Sequence, residues 1–312
     1  DLSDKGGLLW TKSRGGAYSN YLIDSERGHG TGAILYSDLT NAATNSSFST
    51  AFTSTGYTMK GGYDGFSQSS TSYGSPYVSW AFAKQEKFFD IVTYTGNGSN
   101  GGGSGRAIAH NLGSQPGMII VKRTDTSGDW YTANLRADGA QYHFCRLNTT
   151  NARFSNDFIA NVADSSSVII DGTSNGGGGS FANLYAGSQA INVNNATYVM
   201  YLFAHNEQEF GEDSDEAIIK CGSYSGNSAG SATTDQTITL GFEPQWIMIK
   251  KSTGGIGSWA IFDNMRGVMS DGADRELRAN ATTVEQTTDE NLRFEADGFT
   301  LEGSNLNYTD GS

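Results

Sequence analysis

The chain has 312 residues, 37% of them hydrophobic and 12% aromatic, enough apolar surface for two or three folded domains. Its 20 basic against 33 acidic side chains give a net charge of -13, which repels phosphate backbones and argues against a nucleic-acid partner. No apolar run reaches the ~20 residues that a membrane-spanning helix needs, so membrane insertion is not expected.

The 41 glycines beside 3 prolines, with abundant Ser, Thr and Asn, point to short strands joined by polar turns. The opening Asp1-Leu2-Ser3-Asp4 lacks the basic and apolar regions of a signal peptide. The first strand-like run is Gly6 to Lys12, containing Leu8, Leu9 and Trp10. Tyr21-Leu-Ile-Asp24 follows and leads into Arg27-Gly28; then come the polar run Leu39 to Thr44 and a stretch from Phe52 through Gly56-Tyr57 to Met59. Tyr77 to Ala83 closes the series, and by the period of two Val78, Trp80 and Phe82 share the face expected to be core.

The same elements then recur. Phe89-Asp-Ile-Val-Thr-Tyr94-Thr-Gly96-Asn97-Gly98 opens a second copy, and Leu112-Gly113 leads through Pro116 to Met118-Ile-Ile-Val-Lys122, an apolar run expected to be covered on both faces. Here the Asp-x-x-Arg-Gly segment is replaced by Leu135-Arg136-Ala137-Asp138-Gly139, after which Leu147 to Ala152 and Tyr198 to Ala204 match their earlier counterparts. A third copy starts at Ala217-Ile-Ile-Lys-Cys-Gly-Ser-Tyr224, read as another first strand, and continues with Leu240-Gly241, Pro244 and Trp246-Ile-Met-Ile-Lys250. In both later copies the spacing from Gly to Pro is three and from Pro to Lys six. Ala260-Ile-Phe-Asp263 with Arg266-Gly267, Leu277 to Thr282, and Phe294 through Gly298-Phe299 to Leu301 complete it.

A repeat this long suits a β-sandwich rather than a solenoid rung. The expected fold is all-β, built from tandem antiparallel β-sandwich modules of jelly-roll type in three copies. They divide as residues 1–86, 87–207 and 208–312, the first copy lacking its first strand and the last copy its final one, so the sequence reads as part of a longer chain.

Several of these motifs together carry a resemblance: Trp10-Thr-Lys12-Ser-Arg14, Asp24-x-x-Arg27-Gly28, Gly56-Tyr57, Tyr77-Val78-x-Trp80, Lys87 to Gly98 and Ile108-Ala-His110-Asn-Leu-Gly113. The chain resembles a repeated β-domain of unknown function found in tail-fibre and virion structural proteins of marine and cyanobacterial phages, along essentially its whole length. The resemblance implies a virion or extracellular location, a surface-exposed fibre component contributing to host attachment, and a homo-oligomer, a trimer as such fibres usually are, in contact with other virion proteins. It implies no catalytic residues.

Signals for chemistry are weak throughout. Gly96 to Gly101 satisfies the dinucleotide-binding glycine pattern, but no helix follows to receive a pyrophosphate, so a loop is expected. Asp24 with Arg27 and Asp263 with Arg266 read as structural ion pairs that brace a turn, ahead of a recognition role. The acidic run Glu207 to Glu216 reads as a solvated linker; its Asp213, Asp215 and Glu216 could instead take Ca²⁺, the one cofactor the sequence suggests. His29, His110, His143 and His205 lack zinc spacing, and Cys145 and Cys221 are read as unpaired. Tyr63, Phe66 and Tyr73 sit in a polar loop and could stack on sugar rings or pack against a neighbouring subunit. The alternative to a virion structural protein is therefore an extracellular adhesin that binds or degrades host surface glycan.

Overall fold

The computed structural model describes residues 1–28, 33–45, 49–60, 76–98, 106–135, 142–153, 163–170, 191–206, 209–226, 235–268, 274–288 and 291–302. Copy one contributes β1 (Gly7–Ser13), β2 (Tyr21–Asp24), β3 (Leu35–Tyr36), β4 (Ser49–Thr53), β5 (Gly56–Lys60) and β6 (Tyr77–Ala83). Copy two contributes β7 (Phe89–Thr95), β8 (Arg106–Ala109), β9 (Met118–Arg123), β10 (Trp130–Leu135), β11 (Tyr142–Arg146), β12 (Ser167–Ile170) and β13 (Thr197–Phe203). Copy three contributes β14 (Gln236–Thr239), β15 (Trp246–Lys250), β16 (Trp259–Asp263), β17 (Asp274–Arg278), β18 (Gln286–Thr288), β19 (Asn291–Glu295) and β20 (Gly298–Glu302). The fold is all-β and antiparallel, of sandwich type.

Each copy builds one principal sheet: β3-β2-β1-β6, then β11-β10-β9-β13-β7, then β15-β16-β17-β18. Smaller pairings, β4-β5, β12-β8 and β14-β20-β19, lie beside them. The registers align the copies residue by residue. Trp10 faces Trp80 across β1 and β6 as Ile120 faces Tyr201 across β9 and β13, and the hairpin pair Phe52 with Tyr57 recurs as Phe294 with Phe299. Gly298 is required at that second hairpin, because a Cβ there would come 2.0 Å from the Ile238 carbonyl oxygen.

The principal sheets are buried on both faces, as the apolar runs in their second elements predict. On β9, Ile119 and Val121 pack toward Ile108, Val168 and Ile170 of the small sheet, while Met118 and Ile120 turn the other way. On β15, Ile247 and Ile249 pack against Leu292, Phe299 and Leu301. The opposite faces of all three sheets meet in one central core containing Leu8, Trp10 and Trp80 of copy one, Trp130, Val199 and Tyr201 of copy two, and Trp259, Ile261 and Leu277 of copy three. Trp10 and Trp80 meet edge to face at 6.1 Å, and Trp80 meets Trp246 in the same way at 6.5 Å. The copies thus form a closed group around a shared centre, where the long repeat alone suggests independent units.

Three details differ from the sequence expectation. The segment Ala217 to Tyr224, read as a first strand, carries no strand pairing; its counterpart β7 pairs with β13, and the described residues of copy three contain no equivalent of β13. Copy two keeps its third element as β10, whose Asn134 occupies the position of Asp24 and Asp263; only the acidic brace is gone. Finally, Leu39, Leu147 and Leu277 are not equivalent. Tyr36, Arg146 and Arg278 share a register position, which puts Ser37, Leu147 and Ala279 together as the next, fully buried residues.

Candidate functional site at the seams between copies

A recurring set of polar groups stands where one copy meets the next. Register places Lys12, Lys122 and Lys250 at one position, each at the end of its second-element strand with its ammonium turned inward. A buried ammonium must find acceptors, and here they are main-chain carbonyls. Lys122 Nζ donates to the carbonyls of Gly128 at 2.7 Å, in its own copy, and Thr40 at 2.9 Å, in copy one. Lys250 Nζ donates to Gly257 at 2.8 Å and to Thr150 of copy two at 3.1 Å. Lys12 Nζ donates to Tyr18 at 2.7 Å and to Thr282 of copy three at 3.3 Å. Copy two therefore grips copy one, copy three grips copy two, and copy one grips copy three.

Backbone and side-chain bonds repeat the same circuit. The amides of Ala43, Arg153 and Glu285 donate to the carbonyls of Thr124, Ser252 and Arg14, at 2.9, 2.7 and 2.8 Å. The indole of Trp130 donates to Tyr36 at 2.8 Å and that of Trp259 to Arg146 at 2.9 Å, while Asn20 at the same position donates its amide to Arg278 at 2.9 Å. An ion pair of Arg14 with Glu285 at 2.7 Å joins the two ends of the chain's repeat. The result is a pseudo-threefold ring closed within one polypeptide.

The Asp/Arg pairs belong to this circuit. Asp24 accepts from the Arg27 amide at 2.9 Å, from Arg27 Nε at 2.6 Å and from the Tyr201 hydroxyl of copy two at 2.7 Å. Asp263 accepts from the Arg266 amide at 2.9 Å, from Arg266 Nε at 2.6 Å and from the Trp80 indole of copy one at 2.9 Å. Each brace thus fixes a turn and also holds the last strand of the following copy. Burial, with the Asp24 carboxylate that it faces, keeps the Tyr201 phenol well above its usual pKa. Asn134, at the third brace position, donates within its own copy to Thr132 Oγ1 at 3.3 Å and to the His143 carbonyl at 3.4 Å.

Tyr63, Phe66 and Tyr73 lie outside the described residues, as do Glu207, His29 and residues 136–139. Asp213, Asp215 and Glu216 lie exposed in a tight turn closed by reciprocal bonds of 2.9 Å between the backbones of Phe210 and Glu216. Among the described residues no group of three or more His, Cys, Asp or Glu is placed to hold a metal ion. Gly96 and Gly98 spend their amides on the carbonyls of Ala196 at 2.7 Å and Asn192 at 3.0 Å, leaving neither for a phosphate. Cys145 and Cys221 are free thiols. His205 accepts the Cys221 amide at 3.3 Å, and His143 stands 2.7 Å from Arg153. No helix is long and apolar enough to cross a membrane among the described residues.

The seam lysines went unrecognised as a functional set in the sequence, although the six-residue spacing from Pro116 to Lys122 and from Pro244 to Lys250 marks them. They give a pH signature. Burial pulls Lys12, Lys122 and Lys250 each down to about 8. An unfolded lysine keeps its proton to about 10.4. Between these values the unfolded chain binds more protons, so each lysine's contribution to stability rises with pH from about 8 toward 10.4. Urea titrations of the native chain and of Lys122→Met isolate one such group from the thiols and phenols, which titrate in both. From pH 7.5 to 10 the native chain should gain on the order of 2 kcal/mol relative to the variant; a gap that stays constant would show that Lys122 is not held in the seam.

The chain belongs to a family defined only as a domain of unknown function, DUF7483, whose model matches residues 2–312. No curated protein and no solved structure matches it.

Proposed function

We propose that this member of the family is a non-catalytic structural protein of a virion, a surface-exposed fibre component that contributes to host attachment. The observation that carries the reading is where the charged groups at the seams are spent. Lys12, Lys122, Lys250, Asp24, Arg27, Asp263 and Arg266 are all engaged in fastening one copy to another or in bracing a turn that does so. A catalytic centre needs the opposite, a titratable group held ready beside open space for substrate. The motif resemblance supplies the virion setting, and the net charge of -13 suits a particle surface that must stay soluble. In such a particle the chain would act with further copies of itself and with other virion proteins, multiplying weak host contacts by avidity.

Immunogold labelling of particles with antibody to the chain, together with incubation of the purified chain with host polysaccharide, tests this. Label on the particle exterior and polysaccharide of unchanged length are expected. Shortened polysaccharide would overturn the non-catalytic reading, and particles bare of label would overturn the virion one.

A further inference from the structure

Among the described residues β15 stands at the edge of its sheet. In copies one and two the second-element strand is flanked on that side by the sixth element, β6 beside β1 and β13 beside β9, both antiparallel. Among the described residues β15 pairs only with β16. The consequence is visible side chain by side chain. Leu8, Trp10 and Lys12 of copy one are buried, as are Met118, Ile120 and Lys122 of copy two, whereas Trp246, Met248 and Lys250 in the same positions are each partly exposed. The Trp246 indole N–H is buried without a hydrogen-bond partner among the described residues.

A second segment of copy three also lacks a strand neighbour among the described residues. In copy two β7 covers the outer edge of β13. The counterpart of β7 in copy three, Ala217 to Tyr224, packs Ile219 and Cys221 against the central core as Phe89 and Ile91 do, but is in no strand pair among the described residues. Its Ile218 remains 45% exposed. An edge strand with unpaired backbone groups and half-covered apolar side chains is a template for strand addition.

We propose that β15 binds one extended polypeptide strand, antiparallel, in the position that β6 and β13 occupy beside their own partners. The register defines its chemistry. Position two faces Lys250, position four faces Met248 and position six faces Trp246, matching Val199, Tyr201 and Phe203 on β13. Those positions take apolar side chains directed at the core. Position four differs from its counterparts in one respect. Tyr201 and Trp80 each donate there to the acidic brace of the preceding copy, but the brace that would meet this strand is the one in copy two, where Asn134 replaces the aspartate. Facing an uncharged amide in place of a carboxylate, position four needs no donor, and an aliphatic or phenylalanine side chain fills it where tyrosine or tryptophan stands in the other copies.

The site is probed with a fluorescent, lysine-flanked peptide of residues 197–203 bearing Tyr201→Leu, added to the whole chain and read by anisotropy and by amide hydrogen exchange. Saturable binding is expected, with slowed exchange at Trp246, Met248 and Lys250, whose amides alternate with those of Ile247 and Ile249 that face β16, and at least tenfold weaker binding when alternate peptide amides are N-methylated, since the side chains are then unchanged and only the ladder is lost. No saturable binding, or equal binding of the N-methylated peptide, would overturn the proposal. This readout is independent of where the protein sits on a particle, so it can fail while the virion reading stands.

Discussion

Asp263→Ala should destabilise the chain by about 3–5 kcal/mol, a loss measurable as a shift of the urea midpoint at neutral pH. The carboxylate takes three donors, the Arg266 amide, Arg266 Nε and the Trp80 indole, and both ionic partners are almost fully buried. Removing it leaves the guanidinium beside Glu285 at 3.4 Å and the Ile261 carbonyl at 2.9 Å, partners that do not replace the bidentate grip. Trp80→Phe separates the two roles of the brace: it keeps the ion pair and deletes only the donor from copy one, and should lose about 1–2 kcal/mol. A Trp80→Phe variant as stable as the native chain would mean that the brace acts on its own turn alone.

The second large effect is expected at Trp130, where alanine should lose about 3–5 kcal/mol. Trp130 is fully buried, stacks at 6.4 Å on Tyr201, and donates across the seam to the carbonyls of Tyr36 and Leu39. Its truncation opens a cavity in the central core and takes the indole from two carbonyls of copy one, of which Tyr36 keeps the Leu39 amide at 3.3 Å. Trp246→Ala is the control: that side chain is partly exposed at the free edge of β15, and its loss should stay under about 2 kcal/mol. A Trp130 variant as stable as the Trp246 variant would remove the central core from the account.

Much of the fold is legible in the sequence because strand registers rest on local pattern. The pairs Phe52 with Tyr57 and Phe294 with Phe299 sit at matching distances from their glycines, and the two-sided burial of Ile119 to Val121 follows from an apolar run without alternation. The slip at Leu39 has an equally local cause. The buried position holds Ser37, Leu147 and Ala279, since what fills it depends on the neighbour across the centre, and a search for a repeated leucine finds the wrong residue.

Closure of the ring is the part that local pattern does not carry. Its acceptors are main-chain carbonyls of Thr40, Thr150 and Thr282, and a carbonyl is the same atom whatever the residue. The lysines were present as a spacing, but only the fold shows that each one reaches into a different copy. The Asp/Arg pairs were legible as pairs; their second duty, receiving Tyr201 and Trp80 from another copy, was not, because those partners lie 177 and 183 residues away.

Closure between the first and third copies is the claim on which the seams, the shared core and the free β15 edge all depend. Arg14 and Glu285, separated by 271 residues, are joined there by their side chains and by the Glu285 amide to the Arg14 carbonyl at 2.8 Å. The double substitution Arg14→Cys with Glu285→Cys, mildly oxidised at low protein concentration and run on a non-reducing gel against each single substitution, reports directly on that contact. A closed ring gives a monomeric, faster-migrating cross-linked species in the double variant alone. A double variant that stays uncross-linked, or that forms only disulfide-linked dimers, would mean that the copies are strung out in a line.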